Sequence, residues 1–220
     1  MNLDSFARTL AVWAIPVLFA ITLHEASHGY VARRYGDRTA EMLGRLSLNP
    51  IKHIDPIGTV LVPAVMLLIG GFIFGWAKPV PVSMRNLRNP RRDMVIVAAA
   101  GPGSNIAMAL FWGLLISLVL TIGAGLGSTA QWLIEMGQAG VLINCVLAVF
   151  NLLPIPPLDG GRVASGLLPP RMSDRLDAIE PYGIIIVLVL LFVGVLWRVL
   201  EPAIYGLATL VYVVTGVGAA

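Results

Sequence analysis

The sequence predicts an all-α polytopic membrane protein, and three observations carry that prediction. Hydrophobic residues make up 57% of the chain and charged residues only 12%, against about a quarter charged in an ordinary soluble domain. Mean hydropathy is +0.84. The apolar residues are gathered into segments at about 10–32, 57–76, 94–122, 131–153, 183–197 and 202–217, and one bilayer crossing needs about 20 of them. Five or six transmembrane segments are therefore expected. Cys145 is the single cysteine, which excludes an intramolecular disulfide framework. The net charge of +3 comes mainly from loops, so it bears on topology and gives no reason to expect a nucleic-acid partner. No stretch outside the apolar segments approaches the roughly 50 residues of a separate domain. The expectation is one membrane-embedded domain over 1–220, with a core at 10–167 and additional C-terminal helices at 182–217.

The first segment has no Lys/Arg-rich start and no small-residue cleavage pattern, so it is expected to remain in the mature chain. It ends in His24-Glu25-Ala26-Ser27-His28. Residues four apart share one face of a helix, so His24 and His28 can aim their imidazoles at one Zn²⁺ while Glu25 reaches a water beside it as general base. Ionisable groups at membrane depth need a partner that offsets their desolvation, which marks this cluster as functional.

Next comes Gly44-Arg45-Leu46-Ser47-Leu48-Asn49-Pro50, whose apolar/polar alternation before Asn-Pro predicts a short strand. A second extended stretch, Ala77-Lys78-Pro79-Val80-Pro81-Val82, has prolines that permit only an edge strand. Such edges could accept an extended substrate by strand addition, or both stretches could be plain connecting loops. Between them, 57–76 is flanked on both sides by basic residues: Arg33, Arg34, Arg38, Arg45 and Lys52 before it, Lys78, Arg85, Arg88, Arg91 and Arg92 after it. By the positive-inside rule both flanks are cytoplasmic, so 57–76 is read as a re-entrant hairpin that turns at Pro63, Gly70-Gly71 and Gly75 rather than as a span. The N-terminus then lies outside, 94–122 runs outward, 131–153 returns, and two further crossings leave the C-terminus inside.

Catalytic zinc needs a third protein ligand and an open position. The chain has three histidines, so His53 is one candidate; as an alternative it is an interfacial residue or part of a gate. The stronger candidate is Asp159, in Asn151-Leu152-Leu153-Pro154-Ile155-Pro156-Pro157-Leu158-Asp159-Gly160-Gly161-Arg162. Prolines break an apolar helix there and glycines relax the backbone, so an acid at membrane depth can be aimed at a fixed point. Asn144 is expected to make an interhelical hydrogen bond. Asn105, after Gly101-Pro102, is explained by capping and packing at a helix start.

Together these motifs resemble the site-2 intramembrane metalloproteases. The resemblance rests on His24-Glu25-x-x-His28 in a membrane helix, Gly101-Pro102-x-x-Asn105, and Asn151-x-x-Pro154-x-Pro156-x-x-Asp159-Gly160, landmarks covering about two-thirds of the chain. It implies a helical membrane core with one zinc per chain held by His24, His28 and Asp159. It also implies Glu25 as catalytic base and acid, and Asn151 steadying the substrate or the oxyanion. It further implies a prokaryotic cell membrane, an active site open to the cytoplasm, and regulated intramembrane proteolysis. The substrate would be a transmembrane protein such as an anti-sigma factor or a membrane-tethered transcription factor. The chain departs from larger members in lacking a PDZ insertion and a C-terminal CBS pair.

Two alternatives account for the histidine pair less well. A membrane metalloprotease of the prenyl-processing or heat-shock type uses a downstream Glu as third ligand, but Glu135 lacks the helical motif such a ligand sits in. A non-catalytic metal-binding scaffold or carrier would have no need of Glu25 between its ligands.

Overall fold

In the computed structural model, residues 3–61 and 78–218 are described. The long helices are α1 (Leu3–Arg34), α3 (Pro90–Ile122), α4 (Ser128–Asn151) and α8 (Val195–Thr215). Shorter ones are α2 (Thr39–Met42), α5 (Asp159–Leu167), α6 (Pro170–Asp177) and α7 (Glu180–Phe192). Among the described residues four helices are long and apolar enough to cross a bilayer, namely α1 (over Arg8–Arg34), α3, α4 and α8. At about 1.5 Å per residue the 24-residue α4 extends about 36 Å, whereas the 13-residue α7 reaches only about 20 Å. The all-helical membrane class therefore stands, with four such helices where five or six segments were expected.

α3 packs against α1, α4 and α5, and α8 closes the bundle against α4 and α3. Arg8 on α1 and Glu135 on α4 form an ion pair of 2.6 Å, so the N-terminal halves of these two helices lie at the same end and α3 runs antiparallel between them. Gln131 also donates to Glu135, at 3.1 Å. The shared core holds Ala109, Trp112 and Ile116 of α3, Val141 and Cys145 of α4, and Leu200, Ile204 and Val211 of α8.

Three sequence expectations are corrected here. Helix α3 begins at Pro90, so Gly101-Pro102 lies inside it and does not open it. The break between the last two helices falls at Val193-Gly194, where Gly194 has φ 77°, and Pro202 sits within α8. The residues Leu196, Leu200, Ile204, Ala208 and Val211 are all buried, so a continuous packed face carries the helix through a proline that would stop an isolated one. The described residues of 44–50 and 78–82 form no strand. Their polar backbone groups are met by side chains instead: Arg45 donates to the carbonyls of Lys78 at 2.9 Å and Pro79 at 3.5 Å. The expected hairpin at 57–76 lies, from residue 62 onward, outside the described residues; Pro56–Leu61 forms a wide π-type turn.

The segment 78–89 is strapped along the end of α1 by a buried acid. Asp37, 1% exposed, accepts from Ser83 N–H at 2.6 Å, Thr39 N–H at 3.0 Å, Asn86 Nδ2 at 3.1 Å and the Thr39 hydroxyl. Burial alone would raise its pKa, but the donors of Thr39, Ser83 and Asn86 outweigh it and hold the carboxyl below its ordinary value. A depressed folded pKa means this contribution is complete above the unfolded value of about 3.9 and is lost as pH falls through the folded one. Asp37→Ala is expected to cost about 2–3 kcal/mol, because several partly buried donors lose one shared acceptor. Thermal unfolding in detergent at neutral pH checks this, with the gap between variant and parent closing at acid pH.

Candidate metal centre

The site is built where α1, α3 and the start of α5 meet. His24 and His28, one turn apart on α1, are 7% and 8% exposed, and their rings meet edge to face with centroids 4.8 Å apart. Asp159 opens α5, where the unpaired N–H groups of a helix start favour a carboxylate. The Nε2 atoms of His24 and His28 are 3.2 Å apart and lie 3.2 and 3.3 Å from Asp159 Oδ2. Among the described residues this is the group of three His, Cys, Asp or Glu side chains arranged to hold a metal.

The hydrogen bonds behind the triangle fix its chemistry. His24 Nδ1 is 2.6 Å from Asn105 Oδ1, and His28 Nδ1 is 2.7 Å from the Val97 carbonyl. Both of those oxygens are acceptors, so each Nδ1 carries the proton and each Nε2 presents a lone pair. Asn105 Oδ1 is oriented because its Nδ2 donates to the Ala20 carbonyl at 3.2 Å and to Asn144 Oδ1 at 2.9 Å. Asn144 in turn donates to Gly140 O at 2.8 Å. Asp159 Oδ2 is buried with no hydrogen-bond partner. Three buried acceptors facing one another across 3.2–3.3 Å repel unless a cation lies between them. A tetrahedral zinc with bonds of about 2.0–2.1 Å has ligand–ligand edges of about 3.3–3.4 Å, which this triangle matches.

Backbone proximity makes the arrangement possible. A Cβ on Gly101 of α3 would lie 2.4 Å from His28 Nε2 and 2.6 Å from His24 Cε1, so a glycine is what lets α3 approach the ligand rings. At the other wall, a Cβ on Gly160 would meet Leu152 O at 2.2 Å and one on Gly161 would meet Pro156 N at 2.3 Å. The first turn of α5 therefore rests directly on the proline-rich turn, and Asp159 is aimed by that contact.

Glu25, half-buried beside the ligands, accepts the Val80 N–H at 2.7 Å through Oε2. Asn151 is the last residue of α4, and its amide turns back onto its own helix, donating to Leu147 O at 2.9 Å. His53 stands apart from the triangle: it is 2% exposed and donates from Nε2 to Ser47 O at 2.8 Å. Glu135 is engaged by Arg8 at the far end of the bundle. Asn144 makes the expected interhelical bond, but Asn105, read as a capping and packing residue, is the partner of a metal-facing histidine. Its signals in the sequence were an amide at depth and its place in Gly101-Pro102-x-x-Asn105; nothing there named its partner.

Asn105→Leu is expected to weaken zinc binding about 10- to 100-fold, the usual cost of removing a partner behind a metal-bound histidine. Competition with a chromophoric chelator reads this directly.

Comparison with known proteins places the chain in a family. The sequence profile of peptidase family M50 matches residues 116–194, a stretch that contains Asp159. A Bacillus subtilis protein provisionally named zinc metalloprotease YwhC is 41% identical over 192 residues, covering 85% of this chain and 84% of the relative. The chain belongs to peptidase family M50. A Mycolicibacterium smegmatis protein provisionally named zinc metalloprotease Rip2 is 30% identical over 201 residues, covering 91% of this chain and 72% of the relative. A Mycobacterium tuberculosis protein provisionally named zinc metalloprotease Rip3 is 30% identical over 192 residues, which span 38% of its length. No solved structure matches the chain. This M50 chain is thus a membrane protein of the site-2 type, and the family together with the triangle of His24, His28 and Asp159 supports a zinc cofactor.

Proposed function

We propose that this M50 chain is an intramembrane zinc endopeptidase that hydrolyses peptide bonds within or beside transmembrane segments of other membrane proteins. The observation that carries this is the convergence of three buried acceptors from His24, His28 and Asp159 with Glu25, one residue along α1, at their side. His24, His28 and Asp159 hold the zinc, and Glu25 is the general base. Zinc supplies Lewis acidity, which acidifies water and polarises a carbonyl. Glu25 removes the proton of the attacking water and then delivers it to the leaving nitrogen, so peptide and water give a carboxylic acid and an amine, and the acid's proton then passes to the amine to leave carboxylate and ammonium. Asn151, freed from Leu147 by rotation of its side chain, offers an amide donor to the substrate carbonyl or to the developing oxyanion. A membrane helix hides its carbonyls in its own hydrogen bonds, so substrates carry helix-weakening residues near the cut.

The site opens to the cytoplasm. His24 and His28 lie about 8–14 Å inside the Arg33-Arg34 end of α1, by helix rise, and the basic residues of 33–52, 78–92 and 162–175 cluster towards that end of the chain's topology. A cysteine-labelling scan is expected to find positions near Arg38 and Arg88 reactive from one side, the cytoplasmic one, and positions near Ser128 reactive from the other. Labelling of the first two from opposite faces would show that 57–76 crosses.

The activity is tested with purified protein in detergent and a single-span substrate carrying a Gly or Pro in its helix. Expected is one main cut near that residue, stopped by a chelator and restored by zinc. An intact substrate in the presence of stoichiometric zinc overturns the reading in favour of a metal-binding scaffold.

A further inference from the structure

Proline has no backbone N–H, so Pro79-Val80-Pro81 offers one donor across three residues. That donor is spent on a side chain 55 positions away: Val80 N–H meets Glu25 Oε2 at 2.7 Å. Everything around the segment fixes its backbone. Lys78 N–H donates to His53 O at 2.9 Å, and Arg45 holds the Lys78 carbonyl at 2.9 Å. On the other side Ser83 N–H is held by Asp37 at 2.6 Å, and Arg88 N–H by Tyr35 O at 3.1 Å. The Val80 side chain, 7% exposed, packs onto α1 at Gly29, where a Cβ would come within 3.1 Å of Val80 Cγ1.

A free glutamate loses up to about 2 kcal/mol of rotamer entropy when it is fixed, and a general base works only from within hydrogen-bond reach of the proton it takes. A rigid donor on Oε2 removes that freedom beforehand and leaves Oε1 to face the water. We propose that the Val80 N–H is a positioning group for Glu25, and that the flanking prolines deliver this one donor without competitors. The prolines and the occupied N–H also withdraw this stretch from strand pairing, so it supports the base rather than offering a ladder edge at Val80. This inference rests on Glu25 as the base.

The test reads the donor itself. Because neither proline has an amide hydrogen, a proteolytic fragment covering 79–81 reports Val80 exchange alone in that tripeptide. In the zinc-loaded protein, Glu25→Ala is expected to speed that exchange about 10- to 100-fold, the worth of a hydrogen bond to a charged acceptor. Val80→Pro, which deletes the donor, should lower kcat about 10- to 100-fold relative to Val80→Ala, which keeps it, with KM and zinc content equal in the two. Unchanged exchange in Glu25→Ala overturns the proposal even if cleavage is lost, in which case the base assignment stands. Cleavage retained in Glu25→Ala instead removes the base assignment. A Val80→Pro protein as active as Val80→Ala, or more so, also overturns the proposal, since the strap would then be idle or a brake. Should Val80→Pro fail to fold, the exchange measurement decides by itself.

Discussion

Glu25→Gln is expected to retain its zinc and to lose cleavage by at least about a thousand-fold. The size of this expected effect follows from the two proton transfers assigned to one carboxylate, each step of general acid–base catalysis being worth about 10²–10⁴. Glutamine keeps the shape of glutamate, and its carbonyl oxygen can still accept the Val80 N–H that glutamate accepts at 2.7 Å. The loss is therefore confined to basicity, and the ligand triangle of His24, His28 and Asp159 is untouched. The measurement pairs metal content by atomic emission with single-turnover cleavage of a membrane substrate. Cleavage at the parent rate in this variant would remove Glu25 from the mechanism.

The second large effect concerns the metal. The parent protein is expected to carry about one zinc per chain, and His24→Ala, His28→Ala and Asp159→Ala are each expected to weaken it more than about 100-fold, beyond the cost of losing an outer partner such as Asn105. Removing one acceptor leaves two lone-pair donors, which hold zinc less firmly, and relieves the crowding of three acceptors within 3.2–3.3 Å. The order of effects discriminates: ligands first, Asn105 next, His53 last. A His53→Ala protein that loses zinc while Asp159→Ala keeps it would transfer the third position to His53, against the separation seen here. These affinities should also fall with acid, since each Nε2 must be unprotonated to bind.

Much of the site was legible because it is local or compositional. The spacing of His24 and His28 dictates a shared face on any α-helix, and Asp159 was marked by what surrounds it, an acid between a proline-rich break and two glycines at the end of an apolar run. The membrane class followed from the 57% hydrophobic content. In each case the property belongs to one segment and survives without knowledge of its neighbours.

What the tertiary structure alone decided concerns pairs of distant segments. Asn105 and Asn144 were two amides at depth until the crossing of α1, α3 and α4 put one on His24 and the other behind it. The strand expected at 77–82 does not form over its described residues, 78–82, because Arg45 and Glu25 take backbone groups of Lys78 and Val80 that a partner strand would need, and no local propensity reports a long-range partner. Gly101 and Pro102 were read as the start of a helix that begins at Pro90; the close approach of Gly101 to the rings of His24 and His28 depends on which helix packs there. Local sequence determined which groups are candidates to carry the chemistry. Helix packing determined their partners, because hydrogen bonds and close contacts between segments are set by distances in space that the order of residues does not encode.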